Sequence, residues 1–93
     1  MVVNHLRFKA PAEDSTVQAF EAVVRPAVEA GAIAAQVVRV DDTHFILVLT
    51  FASAADADRM AREVGGPWMR EHITPLLAGG TDRSLGEIIA SAP

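Results

Sequence analysis

Residues 44–51 place the tightest limits on how this chain can fold. Read as a strand, they put Phe45, Leu47, Leu49 and Phe51 on one face and His44, Ile46, Val48 and Thr50 on the other. A strand that is apolar on both sides has to be covered on both sides. The chain has 93 residues, enough for a single domain spanning 1–93 and one hydrophobic core. Apolar residues make up 51% of it and charged residues 22%, a globular balance and not a disordered one. With no cysteine, neither disulfides nor thiolate metal sites are available. A domain this small then gains its extra stability from a partner subunit. A second copy of the same sheet would cover Ile46 and Val48.

Charge excludes other classes. Eight Lys and Arg stand against twelve Asp and Glu, for a net charge of −4, and the basic residues are scattered. Phosphate-driven binding of nucleic acid is not expected from such a surface. No apolar run reaches membrane-spanning length, and Met1–His5 lacks the basic and apolar regions of a secretion signal. The expectation is a cytoplasmic protein with no membrane partner.

Around the central strand the element order can be read along the chain. Val2–Lys9 alternates as a strand, with Asn4 on the apolar side of the alternation, where its amide needs a partner. Ser15 and Gln18 form a capping box for a helix with the stripe Val17, Phe20, Val24, Ala27 and Val28. Pro26 predicts a kink or break in that helix, and Gly31 predicts its end. Ile33–Asp41 and His44–Phe51 form an antiparallel hairpin around Asp41-Asp42-Thr43. Ser53 opens a second helix with the apolar face Ala57, Met60, Ala61 and Val64. Gly65-Gly66 is expected to close it, and Pro67 to start a further helical segment reaching about Leu77. Leu85–Ala90 reads as a fourth, edge strand with Glu87 outward. The order strand, helix, strand, strand, helix, strand is the ferredoxin-like βαββαβ arrangement, an α+β fold with a four-stranded antiparallel sheet and helices on one face.

Three short pieces carry a family resemblance: His5-Leu6-Arg7-Phe8-Lys9, Phe51-Ala52-Ser53-Ala54, and Glu71-His72-Ile73-Thr74-Pro75-Leu76-Leu77. Together they resemble the stress-responsive dimeric α/β-barrel (Dabb) proteins and, more distantly, the antibiotic-biosynthesis monooxygenases. The resemblance implies a homodimer in which two sheets pack face to face into an eight-stranded α/β barrel. It also implies a small apolar cleft between sheet and helices. Enzymes of this kind carry out cofactor-independent oxygenation, polyketide cyclisation or haem degradation, while other members have no established activity. The chain departs from the family pattern at two positions. Asn4 stands where the family's first-strand histidine usually lies, and Gly65 stands at about the position of the second. Asn4, Trp68 and His72 supply the residue types of the haem-degrading members at a different spacing.

At about 100° per residue, a helix over 68–77 centres its apolar face on Met69, Ile73 and Leu76. Trp68 and His72 fall one turn apart on a flank, and Arg70 and Thr74 point away. A Trp wall and an imidazole can bind and polarise a planar molecule, and His exchanges protons near neutral pH. The same pair also suits plain packing at the edge of a core. In the functional reading, His72 is the acid–base candidate, Asn4 orients a substrate, and Trp68 and Phe8 line the ligand site. The three His are too dispersed for a metal site, and no cofactor is expected. The main expectation is therefore a homodimer that binds a small apolar or aromatic molecule. A cofactor-independent monooxygenase or polyketide cyclase is the alternative, with haem binding through His72 a third.

Overall fold

The computed structural model describes residues 1–93. Four strands, β1 (Val2–Arg7), β2 (Ala34–Asp41), β3 (His44–Thr50) and β4 (Asp82–Leu85), form one sheet in the order β2-β3-β1-β4, with every neighbouring pair antiparallel. Helix α1 (Asp14–Glu29) follows β1. A second helical rod follows β3, built from α2 (Ala54–Met60), a π-helical turn (Ala61–Gly65) and α3 (Gly66–His72). This is the expected ferredoxin-like order.

The period of two decides which face of the sheet is core. Val2, Asn4, Leu6 and Phe8 of the first strand, and Phe45, Leu47 and Leu49 of β3, are all buried against the helices. Leu6 and Ile73 are completely enclosed. Each such side chain contributes about 2 kcal/mol of apolar transfer free energy. On the opposite face Val3, Ile46 and Val48 are half-covered by their own neighbours, Val38 is exposed, and no helix lies over them.

Several local expectations are corrected. Helix α1 starts at Asp14 with Glu13 as N-cap and no side-chain cap, so Ser15 lies inside the first turn and forms no capping box. Its buried residues are Thr16, Phe20, Val23 and Ala27: Phe20 and Ala27 are as expected, Thr16 and Val23 are buried in place of the half-buried Val17 and Val24, and Val28 is exposed. Pro26 does not end the helix, which continues to Glu29. It sits on the exposed side together with Ala22, whose freed carbonyl can be satisfied by water. The end at Gly31 is as expected. Gly31 has φ 122°, its N–H donates to the Val28 carbonyl, and the Ala32 N–H donates to the Ala27 carbonyl, which makes a Schellman motif. At the hairpin, the Thr43 backbone N–H and then its hydroxyl donate to Asp41 and hold that carboxyl below its ordinary value.

The second rod differs most from expectation. Ser53 accepts a hydrogen bond from the Asp56 N–H and caps α2 as read from the sequence. Gly65-Gly66 does not end the helix, however. Both residues keep right-handed helical angles, and the Gly66 N–H donates to the Ala61 carbonyl five residues back. The wider turn admits Pro67, which has no N–H to donate, without a break. The rod then ends at His72, short of the expected Leu77. A 3₁₀ turn over Thr74–Leu76 leaves Leu76 exposed and buries Leu77, which bridges to Phe8. β4 also lies earlier than expected. Asp82–Leu85 pairs with Val2–His5, while Ile88 and Ile89 are exposed and Glu87 lies outside any strand. The apolar tail residues imitate a strand, but the hydrogen-bonding edge of β1 is already used by residues 82–85.

The π turn makes the two glycines unequal. A Cβ at Gly66 would lie 2.8 Å from the Ala61 carbonyl oxygen, whereas one at Gly65 meets only Met60 at 3.6 Å. Gly66→Ala is expected to lose about 1–3 kcal/mol in urea denaturation through overpacking. Gly65→Ala is expected to be neutral or to gain up to about 1 kcal/mol from helix propensity. Equal effects would contradict the π register.

Candidate functional site

A cavity of about 290 Å³ lies between the sheet and the two helical rods. That is the lower end of the roughly 300–1,000 Å³ usual for small-molecule pockets. It exists because small residues face one another there: Ala27 of α1, Ala35 of β2, Ala57 of α2, and Ala61 and Gly65 of the π turn all line it. Leu47, Leu49, Met60 and Val64 make most of the remaining apolar surface, and Trp68 and Met69 complete it.

Trp68 is fixed from behind. Its ring lies 5.5 Å from the ring of Phe20, which stacks on Phe45 at 5.2 Å. Phe8 joins this cluster at 5.4 Å from Phe45 and 6.3 Å from Phe20. Aromatic pairs at such separations contribute about 0.5–1.5 kcal/mol beyond their buried area. The indole therefore has one side against the core cluster while lining the cavity.

The candidate residues divide between two places. Asn4 and Trp68 line the cavity. His72 and Phe8 do not; they border a separate groove with Lys9, Pro75 and Leu76. His72 and Trp68 are close, with ring centroids 5.9 Å apart, but the imidazole stands outside the cavity, with its side chain 41% exposed and Glu71 at 3.8 Å. Phe8 is a buried member of the aromatic cluster. The other two histidines pair on the open face of the sheet, where His5 Nδ1 lies 3.0 Å from His44 Nε2.

Asn4 is 9% exposed and sits on the cavity floor between Leu47 of β3 and Arg83 of β4. Its amide makes no hydrogen bond within the chain, so its donors and acceptor are free toward the cavity. The polar residue on the inward face thus finds no structural partner.

Sequence reasoning missed four polar residues of the rim. Arg70 and Thr74, expected to point away, both line the cavity, as do Thr81 and Arg83. Arg70 folds back over Gly66, with its guanidinium 3.4 Å from where a Cβ of residue 66 would lie. The glycine four residues before Arg70 was the available signal. Thr74 departs from the helical projection because α3 ends at His72. Arg83 was hidden by the misplaced fourth strand.

Two solved structures share this architecture. Rv0793 from Mycobacterium tuberculosis aligns over 98% of this chain and 96% of its own, with a TM-score of 0.80 and 14% sequence identity. A protein of Nitrosomonas europaea, whose proposed identity is an antibiotic biosynthesis monooxygenase, aligns over 98% of this chain and 91% of its own, with a TM-score of 0.81 and 12% identity. No protein-family model matches the sequence, and no curated protein matches it significantly. At such identities the likeness establishes a common fold, and the ferredoxin-like architecture read from the sequence is the one these proteins have.

Because the Asn4 amide contributes no internal hydrogen bond, Asn4→Leu is expected to leave stability unchanged or raise it by about 0.5–2 kcal/mol, as for other polar groups kept for function. Chemical denaturation checks this. A loss of more than about 1 kcal/mol would show that the amide holds the fold together.

Proposed function

We propose that the chain works as a cytoplasmic homodimer that holds a small apolar or aromatic molecule in the cavity between sheet and helices. The observation that carries the ligand reading is the cavity itself. It is preformed, walled by a clamped Trp68, and floored by an Asn4 amide with no partner of its own. A space of this size, lined by apolar side chains with a few polar groups, is the usual form of a small-molecule site. No helix of the chain is long and apolar enough to cross a membrane.

The dimer reading rests on the uncovered face of β3. Val3, Val38, Ile46 and Val48 form an apolar patch there, beside the His5–His44 pair. A second sheet packed across it supplies the cover that a strand apolar on both faces requires.

The enzymatic version of this reading is a cofactor-independent oxygenase of planar substrates. The shared fold with the Nitrosomonas protein favours it. In that version Asn4 orients the substrate. His72 serves as an acid–base group only for a ligand that extends into the Phe8 and Pro75 groove, since it does not reach the cavity. For the same reason His72 is not placed to ligate the iron of a haem seated there.

Two measurements test the proposal. Light scattering should give about twice the chain mass of 9.9 kDa for the protein and the monomer mass for Val48→Asp; a monomeric wild type contradicts the dimer. Trp68 is the only tryptophan, so all indole fluorescence comes from the cavity wall. Titration with naphthamide, a neutral planar probe, should change that emission and should fail to do so in the cavity-filling variant Val64→Phe. An unchanged spectrum of the parent protein, with no heat of binding, contradicts the ligand reading.

A further inference from the structure

Resting on the proposed ligand cavity, and going beyond it, we infer that the molecule held there is amphipathic, with an apolar ring system and a carboxylate seated between Arg70 and Arg83. The apolar and polar linings are segregated. Across the cavity floor, Leu47, Asn4 and Arg83 form one row, because Leu47 pairs with Asn4 and Asn4 with Arg83, and Ala35 of β2 and Leu49 of β3 line the floor beside Leu47. Directly opposed residues project from the same face of a sheet. The β2 and β3 side of this row is therefore hydrocarbon, and its β4 side presents an amide and then a guanidinium. Arg70 reaches the cavity from the helical rod across Gly66, and Thr74 and Thr81 add hydroxyls to the lining.

The charge distribution points to the sign of the ligand. The chain carries a net charge of −4, yet no Asp or Glu lines the cavity, and its only charged residues are the two arginines. Neither arginine is engaged elsewhere. The Asp56 carboxylate pairs with Arg59, Glu71 lies nearest His72 at 3.8 Å, and no salt bridge or side-chain hydrogen bond involves Arg70 or Arg83. Two unpaired guanidiniums on exposed residues at the edge of an apolar space repel a cation, give nothing to a purely apolar molecule, and suit a carboxylate, which a guanidinium can bind through two parallel hydrogen bonds. The free Asn4 amide adds a donor on the same floor. Such a ligand would lay its ring against Trp68, Met60 and Val64 and turn its carboxylate toward Arg83 and Arg70.

Calorimetry with two probes of the same shape, naphthoic acid and naphthamide, tests the assignment. The acid is expected to bind about tenfold or more tightly than the amide, in line with charge-assisted pairing. Arg83→Gln and Arg70→Gln should each shrink that preference, the double variant should abolish it, and the affinity for the amide should stay within about twofold, well under the factor of 10 that 1.4 kcal/mol represents. Arg62→Gln, on an exposed residue outside the cavity lining, should keep the full preference. Equal binding of acid and amide by the parent protein overturns the inference while leaving the cavity reading intact. So does a preference that survives the double variant or disappears in Arg62→Gln. If neither probe binds, the cavity reading fails and the inference fails with it.

Discussion

The contact between Phe20 and the sheet determines how the rest of the molecule is placed. Phe20 lies on Phe45 of β3, touches Phe8 beyond the end of β1, and backs Trp68 of α3. One side chain thus ties both helical elements to the two central strands. Buried aromatic groups of this size dominate the energetics of small cores. The second fixed point is at the other end of α1. There Gly31 turns the chain into β2, and the Arg59 guanidinium lies 3.5 Å from the Ala30 carbonyl, within reach of the negative end of the helix dipole.

Between these two points the layers are held apart and not filled. The aromatic cluster is bulky, while the residues beyond it on the facing surfaces are Ala27, Ala35, Ala57, Ala61 and Gly65. Helices propped against a sheet by large side chains at one place, with small ones beside them, leave a void that a well-packed core would not tolerate. The π turn contributes as well. It carries the rod past Pro67 without a break, and Gly66, directly after that turn, leaves space for Arg70 to cross. Cavity, clamped indole and arginine rim are all consequences of where this chain places its large and small residues.

Much of the fold was legible because burial imposes simple periods. The two-sided β3, the Gly31 stop, the Ser53 cap and the order of elements were all present in local pattern. The failures have different physical causes. Pro26 is harmless because it faces solvent. Gly65-Gly66 continues a helix because a wider turn accepts what an α turn would not. The strand-like Ile88-Ile89 loses to Asp82–Leu85, which follow a chain already held beside β1 by the Phe8–Leu77 bridge and the bond from the Ala78 N–H to the Arg7 carbonyl. The site was legible only in part. Asn4 stood out as a polar residue on an inward face, and Trp68 as the sole indole. Arg70 and Arg83 depended on a glycine gap and a strand register that periodicity alone does not contain.

The space beside Trp68 is an apolar cavity in the folded protein and not a gap closed by side-chain movement. A crystal of the protein exposed to xenon gas is the decisive test, since xenon enters apolar cavities of this kind. An anomalous peak is expected against Leu49, Met60 and Val64, with the Trp68 ring still packed on Phe20. No peak, with the indole rotated into the space and its contact with Phe20 lost, would contradict it.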